Sequence, residues 1–156
     1  MPTPIKWVNS AVIDVPQSYL YDYVSDISKD PKWRAEVKRM DVQGDIKVGT
    51  LAVEYSDLFM GLKRVVTPAE ITILDKPTLF VCETPKDAKT WLMSRRELNA
   101  ISETQTEIVY RLETEVPYTG ILGSLYAQLT TYFYQPRLPK YLKMLKALVE
   151  EEYRSK

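Results

Sequence analysis

The side chains best placed to do chemistry in this sequence are a few carboxylates, one arginine and a set of phenols. In the segment 50–59, Leu51, Val53, Tyr55 and Phe59 share one side of an alternating strand with Asp57. If that side is covered, Asp57 is a desolvated carboxylate with a raised pKa, suited to proton transfer or to anchoring a ligand hydroxyl. If the strand end is open, it is a solvated charge. The segment 90–101 reads in two phases. Leu98 facing inward turns Ser94 and Arg96 inward, whereas Trp91 and Met93 facing inward leave Arg95, Arg96 and Glu97 in water; a bulge reconciles the two. A buried arginine requires a partner, and Asp57, Glu83 or a ligand carboxylate can supply it. Tyr55 and Tyr110 each offer a phenol to a ligand, or simply pack in the core with the hydroxyl satisfied locally.

Other chemistries are excluded by what the sequence lacks. There is no histidine among the 156 residues, so no Ser-His-Asp triad, Cys-His pair or histidine-ligated metal can form. Cys82 is the single cysteine, which rules out a thiolate zinc cage and an internal disulfide, and reads as a small buried hydrophobe. The five glycines lie far apart and make no phosphate-binding loop. No catalytic set, metal or cofactor is assigned. Any catalysis would rest on carboxylates, Tyr, Lys, Arg or Cys82. Basic and acidic residues balance at 21 each without gathering into blocks, which disfavours nucleic acid. No apolar run approaches the roughly 20 residues of a membrane span, and no signal peptide is visible, so a cytoplasmic protein is expected.

The elements that position these residues follow from periodicity. Residues 5–13 read as a strand. Asp14 is a plausible cap for a helix from Pro16 to Asp26 that buries Leu20, Tyr23, Val24 and Ile27. Ser28 or Asp30 caps a second short helix carrying Trp33. Strands follow at 36–42, 50–59, 62–74, 78–84, 90–101 and 105–117, separated by turns too short for parallel crossovers, so neighbours are antiparallel. In the last strand Ile108, Tyr110, Leu112, Thr114 and Val116 face one way, toward a cover. Helical periodicity from Gly120 to the end supplies that cover, with a kink or break at 134–139, where Pro136 and Pro139 remove donors. The chain reads as one α+β domain over residues 1–156, with about seven antiparallel strands, two short helices after the first strand and a long C-terminal helix.

At this point a resemblance enters. Ile13-Asp14-Val15-Pro16 with Leu20, Tyr21, Val24, Asp26 and Trp33, then Val48-Gly49-Thr50, then Pro117-Tyr118-Thr119-Gly120-Ile121-Leu122-Gly123 resemble motifs of the START-related SRPBCC superfamily, polyketide cyclase/dehydrase-like proteins included. The resemblance spans nearly the whole chain. It implies a helix-grip fold, in which a curved sheet wraps the last helix around a cavity. Val15, where that family usually has a small residue, and the Pro136/Pro139 break are departures from its pattern. The implied function is binding of a hydrophobic small molecule (lipid, polyketide or isoprenoid-like) as carrier or sensor. The expected ligand-binding set is Trp33, Val53, Tyr55, Asp57, Phe59, Trp91, Arg96, Tyr110, Leu112, Leu125 and Leu129. One alternative is a cyclase/dehydratase-like enzyme using Asp57, Arg96 and Tyr110. The other is a partner-binding regulator, or homodimer, whose interface is the Tyr-rich last helix with Tyr118, Tyr126, Tyr132, Tyr134 and Tyr141.

Overall fold

The computed structural model describes residues 4–58 and 63–156, and Phe59 lies outside them. Strand β1 (Ile5–Ile13) leads into α1 (Gln17–Ser25) and a 3-10 helix (Ile27–Lys32). Six strands then run as a meander: β2 (Val37–Val42), β3 (Leu51–Leu58), β4 (Lys63–Asp75), β5 (Leu79–Glu83), β6 (Leu92–Ala100) and β7 (Thr106–Thr114). The sheet is open and antiparallel, in the order β1-β7-β6-β5-β4-β3-β2. Its first and last strands in space are therefore the first two in sequence. Strand boundaries fall within two or three residues of those the alternation predicts.

The long C-terminal helix runs as two pieces, α2 (Gly120–Tyr134) and α3 (Arg137–Arg154), divided within the stretch where the prolines predict a kink or break. The division is gentle, because Gln135 and Pro136 both keep right-handed helical backbone angles. Pro136 caps α3, and Pro139 falls in its first turn, where a missing N–H leaves nothing unsatisfied. Leu138, Tyr141, Leu142, Leu145 and Val149 form one buried stripe of α3 against the sheet. That stripe, with Ile13, Leu20, Phe80, Leu98 and Ile108, makes the core.

Two caps differ from expectation. Pro16 occupies the N-cap of α1, while Asp14 accepts a hydrogen bond from Gln105 Nε2 at 2.8 Å and pairs with Lys146 at 3.6 Å, tying the end of β1 to α3. Asp26 caps the 3-10 helix, accepting from Ser28 N. Asp30 is thereby released from capping and points into the core, where it is 1% exposed.

The phase of β3 is opposite to the one expected. Ala52 and Ser56 are buried, and Glu54 lies between them on the same inner face. Leu51, Val53, Tyr55 and Asp57 occupy the outer face with Val66 and Pro68 of β4, and Arg39 lies over the Tyr55 ring at 4.0 Å. The reason is electrostatic. An apolar/polar alternation points its apolar side inward only when the interior is apolar. Here the interior holds arginine, and the carboxylate goes to meet it.

Candidate functional site

Strand β6 settles into the phase set by Leu98, and Ser94 and Arg96 face the core. Arg96 is 1% exposed. Its guanidinium grips Asp30 with two bonds, Nη1 to Oδ1 at 2.9 Å and Nη2 to Oδ2 at 2.5 Å, and also donates to the Val24 carbonyl. Asp30 Oδ2 accepts a further bond from Arg34 Nη1 at 3.1 Å. Arg34 in turn forks onto Glu54, at 2.8 and 3.3 Å, and Ser56 Oγ donates to Glu54 Oε1 at 2.7 Å. The result is one continuous chain, Arg96–Asp30–Arg34–Glu54–Ser56, with Glu36 at its side, 3.9 Å from Arg34. Isolated charges at this depth would each cost several kcal/mol, so each must be paired. Burial pushes the Glu54 carboxyl upward, yet Arg34, the Ser56 hydrogen bond and Arg96 outweigh it and hold the group below its ordinary range. Burial likewise opposes the charge on Arg96, and Asp30 outweighs it, raising the guanidinium pKa.

Aromatic rings complete this interior. The Arg96 guanidinium lies 4.9 Å from the Trp33 ring, 5.3 Å from Phe80 and 5.8 Å from Tyr110, and Trp33 meets Tyr110 edge-on at 5.5 Å. Little space remains. A void of about 30 Å³ beside Cys82, Ser94, Arg96 and Leu112 has room for one water by size. Burial pushes the Cys82 thiol up to about 12, far from a thiolate at neutral pH. Beside Arg96 the interior is thus occupied by side chains.

The larger hollow opens at one end of the sheet. A groove of about 520 Å³ runs between the 3-10 helix and start of β2 on one side and the first turns of α3 on the other. Lys32, Trp33, Ala35, Glu36 and Lys38 form the first wall, Arg137, Lys140, Tyr141 and Met144 the second, and Asp57 lies at the end of β3 between them. Its floor is buried: Trp33 and Tyr141 are each 2% exposed. Trp33 Nε1 is buried with no hydrogen-bond partner in the protein, and the Tyr141 hydroxyl lies beside the Glu36 carboxylate, its natural acceptor. Burial first, then the Glu36 charge, pushes the Tyr141 pKa far up, so the phenol keeps its proton and remains a donor.

The sequence-derived residues distribute as follows. Trp33 and Asp57 line the groove, Asp57 from the rim, where Arg64 pairs with it at 3.6 Å. Arg96, Tyr110 and Leu112 lie in the packed interior. Asp57 and Glu83 are not the partners of Arg96; Asp30 is, held by the 3-10 helix within reach of the long Arg96 side chain. Val53 and Tyr55 are on the outer face with β3 in its opposite phase. Trp91 donates from Nε1 to Glu83 at 3.2 Å, away from Arg96, since it sits in the outward phase of β6. Leu125 and Leu129 are 59% and 54% exposed, because α2 turns Gly123 and Thr130 toward the protein instead. The residues the sequence reading missed are Asp30, Arg34, Glu36 and Glu54, while Tyr141 was read as part of the covering helix and of a tyrosine series that could wall a cavity or meet a partner. The four-residue spacing of Asp30 and Arg34, and a lone Glu54 inside an apolar strand, were the available signals.

No family model matches the sequence, and no curated protein matches it. Solved structures do match in shape. The Zhui aromatase/cyclase from Streptomyces sp. R1128 superposes with a TM-score of 0.80 at 7% identity, over 97% of this chain and 96% of that one. A START superfamily protein from Mycobacterium smegmatis gives 0.74 at 14% identity, over 94% and 97%. A protein from Thermus thermophilus gives 0.75 at 20% identity, over 92% and 96%. The chain has the START-like helix-grip fold. At these identities the likeness concerns the backbone, and the helix-grip architecture alone does not fix a ligand.

Proposed function

We propose that this helix-grip protein binds a small molecule with an apolar or aromatic body in the groove between the 3-10 helix and α3, as a carrier or sensor. The observation that carries the reading is the groove itself, about 520 Å³ with a floor of two buried aromatic side chains, Trp33 and Tyr141. Its volume suits a drug-sized ligand, and Met144 and Ala35 add apolar wall. The fold shared with an aromatase/cyclase and a START protein supports a ligand-binding role. A titration with fatty acids, sterols and aromatic polyketides tests it. A ligand at 100 times its Kd stabilises by about 2.7 kcal/mol, or roughly 5–10 °C in Tm for a chain of this size, and quenches or shifts tryptophan fluorescence. If no member of the panel moves either signal, the groove is not a ligand site.

A second reading is carried by α2, and it concerns self-association. This helix has no charged residue. It leaves Ile121, Leu122, Leu125, Leu129 and Tyr132 more than half exposed. Within α2, Leu122, Leu125, Leu129 and Tyr132 follow one another at spacings of 3, 4 and 3, the seam of a two-helix coiled coil. Tyr118, Leu122, Leu125, Tyr126 and Leu129 surround an apolar hollow of about 230 Å³, which a leucine from a second copy fills. An uncharged seam meets its own copy without like-charge repulsion, as a twofold dimer requires. Sedimentation velocity is expected to show a dimer that Leu125→Glu converts to a folded monomer, its Tm lowered only by the lost association. A wild-type chain that stays monomeric at all concentrations removes this reading.

A further inference from the structure

We infer that the ligand of the groove carries an anionic head, a carboxylate or a phosphate, held at the mouth by Lys32, Lys38, Arg137 and Lys140; this rests on the reading that the groove binds a small molecule. The argument is one of unbalanced charge. Four of the groove's side chains are cations, and among the described residues none of the four forms an ion pair. Lys38 donates only to the backbone carbonyl of Ala35, at 3.1 Å, and Arg137 lies over the Tyr134 ring at 5.3 Å. Of the two carboxylates of the groove, Asp57 pairs with Arg64 at 3.6 Å, and Glu36 shares Arg34 with Asp30 and Glu54. The four cations outnumber that acidic charge, and the concavity presents a positive potential to whatever enters.

The cations also sit on both walls. Lys32 and Lys38 belong to the 3-10 helix and β2, and Arg137 and Lys140 to the first turn of α3. A head group between them is reached from two sides, while the body of the same molecule extends over Met144 toward the Trp33 and Tyr141 floor. The aromatic rings of Trp33 and Tyr141 give that body an apolar surface to lie on. The ligand is therefore an anionic amphiphile rather than a neutral oil. Carboxylate and phosphate heads share this chemistry, Arg137 matching either as a fork and the lysines as point charges.

Octanoate, octyl phosphate and 1-octanol share one tail and differ in the head, so their affinities for the intact chain separate the alternatives. Both anions are expected to bind at least about tenfold tighter than the alcohol at low salt, with the advantage shrinking as salt rises. The double variant Arg137→Gln, Lys140→Gln is expected to bring the anions toward the alcohol and leave the alcohol's affinity unchanged. The tighter of the two anions identifies the head. An alcohol that binds as well as the anions overturns the inference while leaving the groove a ligand site, and so does a double variant that weakens all three alike. Binding by none of the three rejects the groove reading itself, and the anionic head with it.

Discussion

Replacing Arg96 by methionine lowers the stability of the fold by about 3–5 kcal/mol in urea denaturation. Methionine keeps much of the length of the side chain but deletes the partner that holds both Asp30 oxygens. The Val24 carbonyl loses its donor, and three aromatic rings lose the cation they surround. Asp30 keeps only Arg34, which is already shared with Glu54. Because the cost comes from a stranded charge, the double variant Arg96→Met, Asp30→Asn recovers part of the loss. A change below about 0.5 kcal/mol, typical of surface substitutions, would show that Arg96 is solvated and that the network does not form in solution.

Trp33→Ala produces a loss of similar size, about 3–5 kcal/mol, because it empties a fully buried aromatic site against Tyr110 and Arg96. Trp33 joins the interior to the groove: its ring packs on the buried charges, and the residue also lines the groove. The two roles separate in Trp33→Phe, which keeps a ring and deletes the donor. That variant is expected to fold and to bind ligand roughly 2- to 10-fold more weakly, the worth of one hydrogen bond. Calorimetric titration checks it. Unchanged affinity in a folded Trp33→Phe protein would mean that the indole N–H does not meet the ligand.

The fold was legible in the sequence because each element obeys its own period. Short turns allow only antiparallel neighbours, and β7 alternates cleanly as Ile108, Tyr110 and Leu112 against Glu107, Val109 and Arg111. The site was less legible, for a physical reason. Sequence patterning assumes an apolar interior, and this interior contains a paired set of charges. Glu54 inside β3 reversed the apparent phase of that strand and carried Val53, Tyr55 and Asp57 to the outside. Asp30 resembled a helix cap because Asp before a helical stretch usually is one; only the tertiary fold brings it within reach of Arg96. Leu98 did identify the phase of β6, since an apolar residue in the middle of a covered strand has few alternatives. The groove joins residues about a hundred positions apart, Trp33 with Tyr141 and Lys38 with Arg137, and no local pattern encodes such a meeting.

The central claim is that the groove between the 3-10 helix and α3 holds a small molecule. Native mass spectrometry of the protein purified from its own host tests it most directly. The account predicts a bound molecule of a few hundred daltons, the size that a 520 Å³ groove accepts, retained by the wild type and depleted in Trp33→Phe. A wild-type spectrum showing only the bare chain, unaltered after incubation with the ligand panel, would contradict it.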